Sequence, residues 1–247
     1  MIKTIVQTLG AAVLLAGAAV SQAAEPAAAP KAPPVATSSG VLNYGEYGRP
    51  TTLDPITNND MIAMRITELV FNGLVGIDNK QQIAPELAES WDMSSDGQVY
   101  TFHLRKDVRW HARPGEEPRP FTADDVVFTY KIMMHPKTIT PLKVRYEFID
   151  EVKKLDSHSV RFTLKRPIMN ALPKFTFKII PEFGPTNSAY LARDDAFVQK
   201  PIGTGPYQYR ETTANGEIVL EANPHYFKGA PKIARFVAKP FADQNIM

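Results

Sequence analysis

Hydrophobic and polar residues alternate along several short stretches of the chain. In the clearest of these, Tyr100, Phe102 and Leu104 fall on one side of an extended strand and the residues between them fall on the other. A second strand is predicted over residues 90–93. Asp96-Gly97 lies between the two strands and is typical of a hairpin turn, because glycine adopts positive φ freely. The pattern therefore predicts an antiparallel hairpin.

Two other stretches have the spacing of helices. Apolar residues recur at helical spacing over 61–72, and Gly73 is predicted to be the C′ residue that ends this helix. The polar residues 58–60 can either cap the helix or meet a ligand. A second helix is predicted to begin at Thr122 as its cap, with Asp124-Asp125 in the first turn near the positive end of the helix dipole.

Shorter apolar runs between turn residues predict the remaining strands. The turns include Asp78-Asn79-Lys80 and Asn215-Gly216, and the stretch 168–177 fits either a helix or a strand. The predicted strands cover residues 41–47, 74–77, 146–155, 160–164, 207–209, 218–220 and 233–238.

The amino-terminal residues have the composition of a secretion signal. Lys3 gives a positive start, residues 9–20 are apolar or small, and residues 21–23 supply a cleavage site. We predict a signal peptide over 1–23, followed by a disordered Ala/Pro-rich spacer over 24–40. The chain has no cysteine, so neither a disulfide nor a lipid on cysteine is expected. These features predict an exported, soluble protein of the periplasm.

Few residue patterns point to catalysis or metal binding. The five histidines lack the H-E-x-x-H spacing of zinc enzymes, and the chain has no G-x-S-x-G elbow. The turn at residues 203–207 lacks the spacing of a phosphate-binding loop, and His111 is predicted to be a packing or loop residue. With 28 basic and 26 acidic residues, weakly clustered, nucleic acid is not an expected partner. We expect a binding protein without a cofactor or metal rather than an enzyme.

An ordered series of motifs resembles a known family, the oligopeptide- and nickel-type extracellular solute-binding proteins of ABC importers, family 5. The motifs extend over nearly all of the predicted folded chain, and their order makes the resemblance specific. They occupy residues 53–55, 68–74, 83–91, 96–97, 100–106, 108–111, 121–127, 202–207 and 223–227.

The resemblance implies an α/β fold, namely the first lobe of a type II-like periplasmic binding protein with an inserted α+β subdomain. On that pattern, residues 41–63 and 179–247 form the main part of lobe I, and residues 64–178 form the inserted subdomain. Members of the family continue into a second lobe, which is missing from this chain, so we expect an N-terminal fragment. Two positions depart from the family pattern: Asp107 stands where glycine is usual, and the loop 112–119 is longer than usual.

The function implied by the resemblance is that of the periplasmic substrate-binding component of an ABC importer. Such a protein binds peptide-like solutes between two lobes and delivers them to the membrane permease. The expected partners are a peptide or other small-molecule ligand and the permease subunits, and we expect a monomer without stable membrane insertion. A secreted hydrolase, such as a peptidase, and a ligand-sensing binding protein are the alternatives. The ligand class itself cannot be carried over from the family.

Seven residues are predicted to form the wall of lobe I that faces the ligand. They belong to the polar loop before the first helix, the start of the 146–155 strand and the glycine-rich turn. They are Asn58, Asn59, Asp60, Met61, Tyr146, Gly205 and Tyr207.

Overall fold

The computed structural model describes residues 39–112, 115–182 and 196–241. The predicted signal peptide and the spacer up to residue 38 lie outside the described residues. In chain order the elements are β1 (Ser39–Tyr47), α1 (Met61–Val70), β2 (Val75–Ile77), β3 (Ile83–Pro85), β4 (Ala88–Met93), β5 (Val99–Leu104), α2 (Ala123–Met134), α3 (Leu142–Tyr146), β6 (Ile149–Asp156), β7 (Ser159–Leu164), a 3₁₀ helix (Leu172–Thr176), α4 (Ala196–Gln199), β8 (Tyr207–Thr212), β9 (Ile218–Ala222) and β10 (Ile233–Phe241).

One four-stranded sheet, the main sheet, joins the two ends of the described chain. Its strand order is β1-β10-β9-β8, with β1 parallel to β10 and the other neighbours antiparallel. Leu42 pairs with Phe236, and Phe236 pairs with Leu220, so these side chains share one face. The β8–β9 turn has Gly216 at φ 81°, and its N–H donates to the Thr213 carbonyl at 2.8 Å. The predicted Asn-Gly hairpin is confirmed.

A second four-stranded sheet, antiparallel throughout, contains the predicted hairpin. Its order is β4-β5-β7-β6. The predicted alternation is confirmed, because Tyr100, Phe102 and Leu104 are all buried. Phe102 packs against Phe175 of the 3₁₀ helix with ring centroids 4.8 Å apart, and Phe162 of β7 lies edge-on to both rings. Buried residues of both sheets belong to one continuous hydrophobic core.

Both predicted long helices are present with polar groups at their amino-terminal ends. Asp60 is the N-cap of α1, and its Oδ1 accepts a hydrogen bond from the Ala63 N–H at 2.6 Å. At α2 the Asp125 carboxylate accepts from the Thr122 N–H at 2.8 Å, which is one half of a capping box. Asp124 and Asp125 lie in the first turn of α2, as predicted.

Two local predictions are wrong. Helix α1 ends at Val70, three residues before Gly73, and Gly73 does not have positive φ. A Cβ at Gly73 would lie 2.8 Å from the Thr176 carbonyl oxygen, so this glycine permits a close backbone approach instead of ending a helix. Tyr146 ends the short helix α3, and the strand predicted over 146–155 begins only at Ile149.

A helix that spans a bilayer needs about 20 mostly apolar residues. Among the helices of the described ranges, none combines sufficient length with sufficient apolar character.

Candidate functional site

His111 joins the loop after Trp110 to the glycine-rich turn through three hydrogen bonds. Its backbone N–H donates to the Gly203 carbonyl at 2.8 Å, and its Nδ1 accepts from the Gly203 N–H at 3.2 Å. Because Nδ1 accepts, the proton of the neutral ring is on Nε2, which donates to the Gly205 carbonyl at 2.9 Å. Burial lowers the pKa of His111 to about 4, although the bond to Gly205 opposes this effect. The predicted packing role of His111 is confirmed.

The glycine-rich turn lies directly on the carboxyl-terminal end of α1. Gly205 donates its N–H to the Val70 carbonyl at 2.8 Å, which satisfies one of the free carbonyls of the last helical turn. A Cβ at Gly203 would lie 1.8 Å from the Val70 oxygen, and one at Gly205 would lie 2.5 Å from the Leu69 oxygen. Both positions therefore exclude any side chain, and the turn serves backbone packing.

A buried polar cluster, the Asn72 network, connects four separate chain segments. The Asn72 amide donates to the Glu86 carboxylate at 2.8 Å and contacts the Tyr226 hydroxyl at 3.4 Å, while Thr204 donates to the Asn72 carbonyl oxygen at 3.0 Å. The second Glu86 oxygen accepts from the Gly73 N–H at 2.9 Å. These residues belong to motifs that carry the family resemblance, and here their side chains bond to one another.

In the polar loop before α1, some of the side chains predicted to contact the ligand instead form hydrogen bonds within the protein. Oδ2 of Asp60 accepts from the N–H of Thr51 at 3.1 Å and from its hydroxyl at 2.6 Å. Burial raises the pKa of Asp60, but the hydrogen bonds from Ala63 and Thr51 outweigh it and lower the pKa overall. The Asn58 amide donates to the Thr67 hydroxyl at 3.3 Å. The side chains of Asn59 and Met61 are exposed.

Tyr146 and Tyr207, the two aromatic residues of the predicted ligand wall, both contact neighbouring elements of the fold. Tyr146 is buried, and its ring packs against Phe177 with centroids 5.1 Å apart. Tyr207 donates its hydroxyl to the Ile233 carbonyl at 3.1 Å, and its ring lies beside Phe236. Burial raises the pKa of both tyrosines, so both remain neutral phenols at physiological pH.

The seven predicted residues do not form one cluster. Asp60 lies at the beginning of α1 and Gly205 packs at its end. A ten-residue helix is about 15 Å long, so the two parts of the predicted wall are separated by that distance. Asn58 to Met61 are consecutive at the beginning of α1, Gly205 and Tyr207 lie close together just before and at the start of β8, and Tyr146 lies at the end of α3.

Three of the surface clefts are lined by residues of β8 or β9 and of the loops next to the main sheet. Two of them, of about 460 and about 360 Å³, both border His111 and share His111, Ala112 and Gln208 in their walls. The third, of about 260 Å³, lies beside Arg49 and the β8–β9 turn. Sequence reasoning missed Arg49, because Gly48-Arg49-Pro50 reads only as the end of a strand. Across the described ranges, no three His, Asp or Glu side chains are grouped so that they could hold a metal ion.

Comparison with known proteins identifies the family to which the sequence is similar. The family model for bacterial extracellular solute-binding proteins, family 5 Middle, matches residues 82–247. Di/tripeptide-binding protein 2 of Pseudomonas aeruginosa is 36% identical over 183 residues, which cover 66% of this chain and 34% of that protein.

Two solved structures illustrate the structural similarity. DppA from Helicobacter pylori in complex with the peptide STSA matches with a TM-score of 0.75 and 27% identity, over 85% of this chain and 44% of that one. NikZ from Campylobacter jejuni in complex with Ni(L-His) matches with a TM-score of 0.70 and 30% identity, over 83% and 40% of the two chains.

The chain belongs to family 5 of the bacterial extracellular solute-binding proteins. Both the resemblance and the α/β binding-protein fold predicted from the sequence are confirmed. The expectation of a binding protein rather than an enzyme agrees with the family, whose members are extracellular solute-binding proteins. The chain spans about two fifths of the length of the relatives that it matches.

Proposed function

We propose that this protein is the periplasmic substrate-binding component of an ABC importer for peptide-like solutes. The observation that carries the proposal is the family match over residues 82–247, on a chain whose fold matches peptide-bound DppA. The name of the similar Pseudomonas protein, a di/tripeptide-binding protein, supports peptides as the ligand class. The signal-like residues 1–23 support export to the periplasm.

The strand order supports a division of the chain into a main part of lobe I and an inserted subdomain. All four strands of the main sheet come from residues 41–63 and 179–247, apart from the first two residues of β1. All strands of the other two sheets, β2-β3 and β4-β5-β7-β6, come from residues 64–178. We propose that this boundary separates the two parts, with His111 and the Asn72 network as the contacts between them.

Within the proposed wall, the exposed residues are the best candidates for ligand contact. Asn59 and Met61 lie at the amino-terminal end of α1, and Met61 is 65% exposed. A flexible thioether beside an amide suits ligands that combine a polar backbone with varied apolar side chains. Asp60, Tyr146, Gly205 and Tyr207 would shape this wall through the structural contacts that they make.

Native mass spectrometry of the full-length protein, purified from the periplasm, tests the proposal. The expected result is a co-purified ligand with the mass of a short peptide, which unfolding releases and added peptide replaces. A protein that cleaves a peptide library would instead be a hydrolase. A ligand that is not peptide-like, or no binding of any peptide, would contradict the proposed ligand class.

A matched pair of variants tests the proposed contact residues. Met61→Ala and Asn59→Ala should each weaken peptide binding, with unchanged thermal stability, because both side chains are exposed. Met169→Ala is the control, since Met169 is 90% exposed and lies outside the proposed wall. Equal affinities in all three variants would contradict the assignment of the loop before α1 to the wall.

A further inference from the structure

The cleft beside Arg49 is bordered by an arginine in a fixed position. Nη2 of Arg49 donates to the Asn215 carbonyl at 2.8 Å. The guanidinium lies directly on Gly216, where a Cβ would be 2.3 Å from the Arg49 Nε. Glycine at this turn therefore provides the space that the guanidinium occupies, and the turn positions the arginine.

Within the described ranges, the charge of Arg49 has no acid paired with it. The described walls of the cleft contain no aspartate or glutamate. The bond to Asn215 uses one of the five guanidinium N–H groups, so several donors remain for a ligand.

Two hydroxyl groups add further donors to the same cleft. The Thr52 oxygen accepts from the Asp54 N–H at 3.1 Å, and the Thr213 oxygen accepts from the Glu217 N–H at 3.1 Å. Because each oxygen already accepts a backbone hydrogen bond, each hydroxyl proton remains available to a ligand. Thr52 and Thr213 both line the cleft with Arg49, so the polar groups of the cleft suit an acceptor that carries negative charge.

The cleft is small, and apolar residues also line it. Pro50, Leu53 and Ile218 contribute the apolar surface, and the volume is about 260 Å³. This volume is below the roughly 300–1,000 Å³ of pockets that hold drug-sized ligands. The cleft therefore fits the end of a molecule with a short apolar group next to its anionic group.

We propose that this cleft binds a carboxylate, with Arg49 as its anchor and the hydroxyls of Thr52 and Thr213 as additional donors. Arginine recognises carboxylates through two parallel N–H bonds, and the apolar wall accommodates the adjacent aliphatic group. A small organic acid and the carboxyl terminus of a peptide both present this chemistry. The proposal concerns a site on this chain and does not depend on the transport role.

Titration of the ¹⁵N-labelled chain with 4-methylpentanoate, followed by NMR, tests the site. Addition of the acid should shift the amide signals of Thr213 and Gly216. The neutral analogue 4-methylpentanamide should bind at least about tenfold more weakly, because it lacks the charge-assisted hydrogen bonds. The peptide Ala-Ala-Leu and its carboxyl-terminal amide, compared in the same way, distinguish a peptide end from a free acid as the source of the carboxylate.

Variants assign the binding to the arginine. Arg49→Gln should weaken binding of the carboxylate at least about tenfold, and Arg49→Lys should give an intermediate affinity because it retains the charge without the planar fork. Arg210→Gln is the matched control, since Arg210 is exposed on β8 and lines a different cleft. If Arg49→Gln does not fold, Thr213→Val must weaken binding instead.

Three results would overturn the proposal. They are equal affinities for the acid and its amide, an unchanged affinity in a folded Arg49→Gln variant, and an equal loss of affinity in Arg210→Gln. A loss confined to the Arg49 and Thr213 variants supports it. Binding of the tripeptide alone identifies the ligand as a peptide end, and binding of both acids identifies carboxylates in general.

Discussion

His111 makes the stability of the protein depend on pH. An unfolded histidine titrates near pH 6.5, whereas burial lowers the pKa of folded His111 to about 4. The unfolded chain therefore takes up a proton first as the pH falls. The stability contributed by the neutral ring is complete above pH 6.5 and is lost as the pH falls toward 4, at about 1.4 kcal/mol per pH unit.

Substitution of His111 by glutamine should remove this slope. Relative to His111→Gln, the wild type should lose unfolding free energy as the pH is lowered from about 6.5 to about 4, as measured by urea denaturation. His103→Gln is the control, since His103 is partly exposed on β5 and does not contact the glycine-rich turn. A difference between wild type and His111→Gln that is constant with pH would contradict the buried neutral ring.

Asp125 should have the opposite effect in an overlapping pH range. Burial raises its pKa to about 6, although the hydrogen bonds from the N–H groups of Glu182 and Thr122 and from Trp110 lower it. The folded chain holds the Asp125 proton more tightly than the unfolded chain does. The stability that the protonated carboxyl contributes is therefore complete below pH 3.8 and is lost as the pH rises through about 6.

The two substitutions should therefore give differences of opposite sign. Relative to Asp125→Asn, the wild type should lose stability as the pH rises from about 4 to about 6, again at about 1.4 kcal/mol per pH unit. Asp124→Asn is the control in the same helical turn, because the Asp124 side chain is exposed and pairs with Lys154 at the surface. Slopes of the same sign in the His111 and Asp125 variants would show that one of the two environments is misassigned.

At the scale of elements, the contact between the glycine-rich turn and α1 leaves no room for a methyl group. Gly203→Ala should lower the unfolding free energy by roughly 3 kcal/mol or more, because its Cβ would overlap the Val70 carbonyl. Gly229→Ala is the control. Gly229 has φ 95° and no neighbour within 4 Å of the added Cβ, so only backbone strain of about 1–2 kcal/mol is expected. Equal losses in urea denaturation would contradict the close approach at Gly203.

The elements that the sequence predicts correctly are those that local chemistry determines. The α2 start follows from its acidic first turn, and the β8–β9 hairpin follows from Asn215-Gly216. Gly73 was misassigned because its role depends on Thr176, a residue about a hundred positions away. Helix α3 was missed because it is only one turn long and begins after Pro141, where local signals are weak.

The candidate site is less predictable than the elements. The neighbourhood of Arg49 depends on a turn that follows it by more than half of the chain, and no spacing rule relates the two segments. Residue type and position predict ligand contact for Asp60 and Tyr207, yet both side chains form hydrogen bonds within the fold. Residue type indicates what a side chain can bind, while the tertiary fold decides whether its donors and acceptors are still available.

At the scale of the whole molecule, the Asn72 network should couple the stability of distant segments. Asn72→Ala removes the partner of Thr204 and one partner of Glu86 in a buried site, so a loss of roughly 3 kcal/mol is expected. Amide hydrogen exchange should accelerate in both the β2–β3 and β8–β9 hairpins, since the network contacts segments next to both.

The control for this variant is Asn59→Ala, which changes an exposed asparagine. It should leave hydrogen exchange in both hairpins at the wild-type rate. Faster exchange in Asn72→Ala that is confined to the residues around α1 would show that the network is a local contact and does not link the two hairpins.

The parallel pairing of β1 with β10 affects the order in which the protein folds. The first strand of the described chain finds its partner in the last one, and Val41 pairs with Arg235 across almost the whole described sequence. Contacts between such distant residues are slow to form, because a long loop must close before they contribute stability. When the chain appears from its amino-terminal end, β1 precedes its described partner β10 by almost the whole described sequence. The main sheet should therefore be completed late in folding, and β1 is the strand most exposed to chaperones or to mispairing in the meantime.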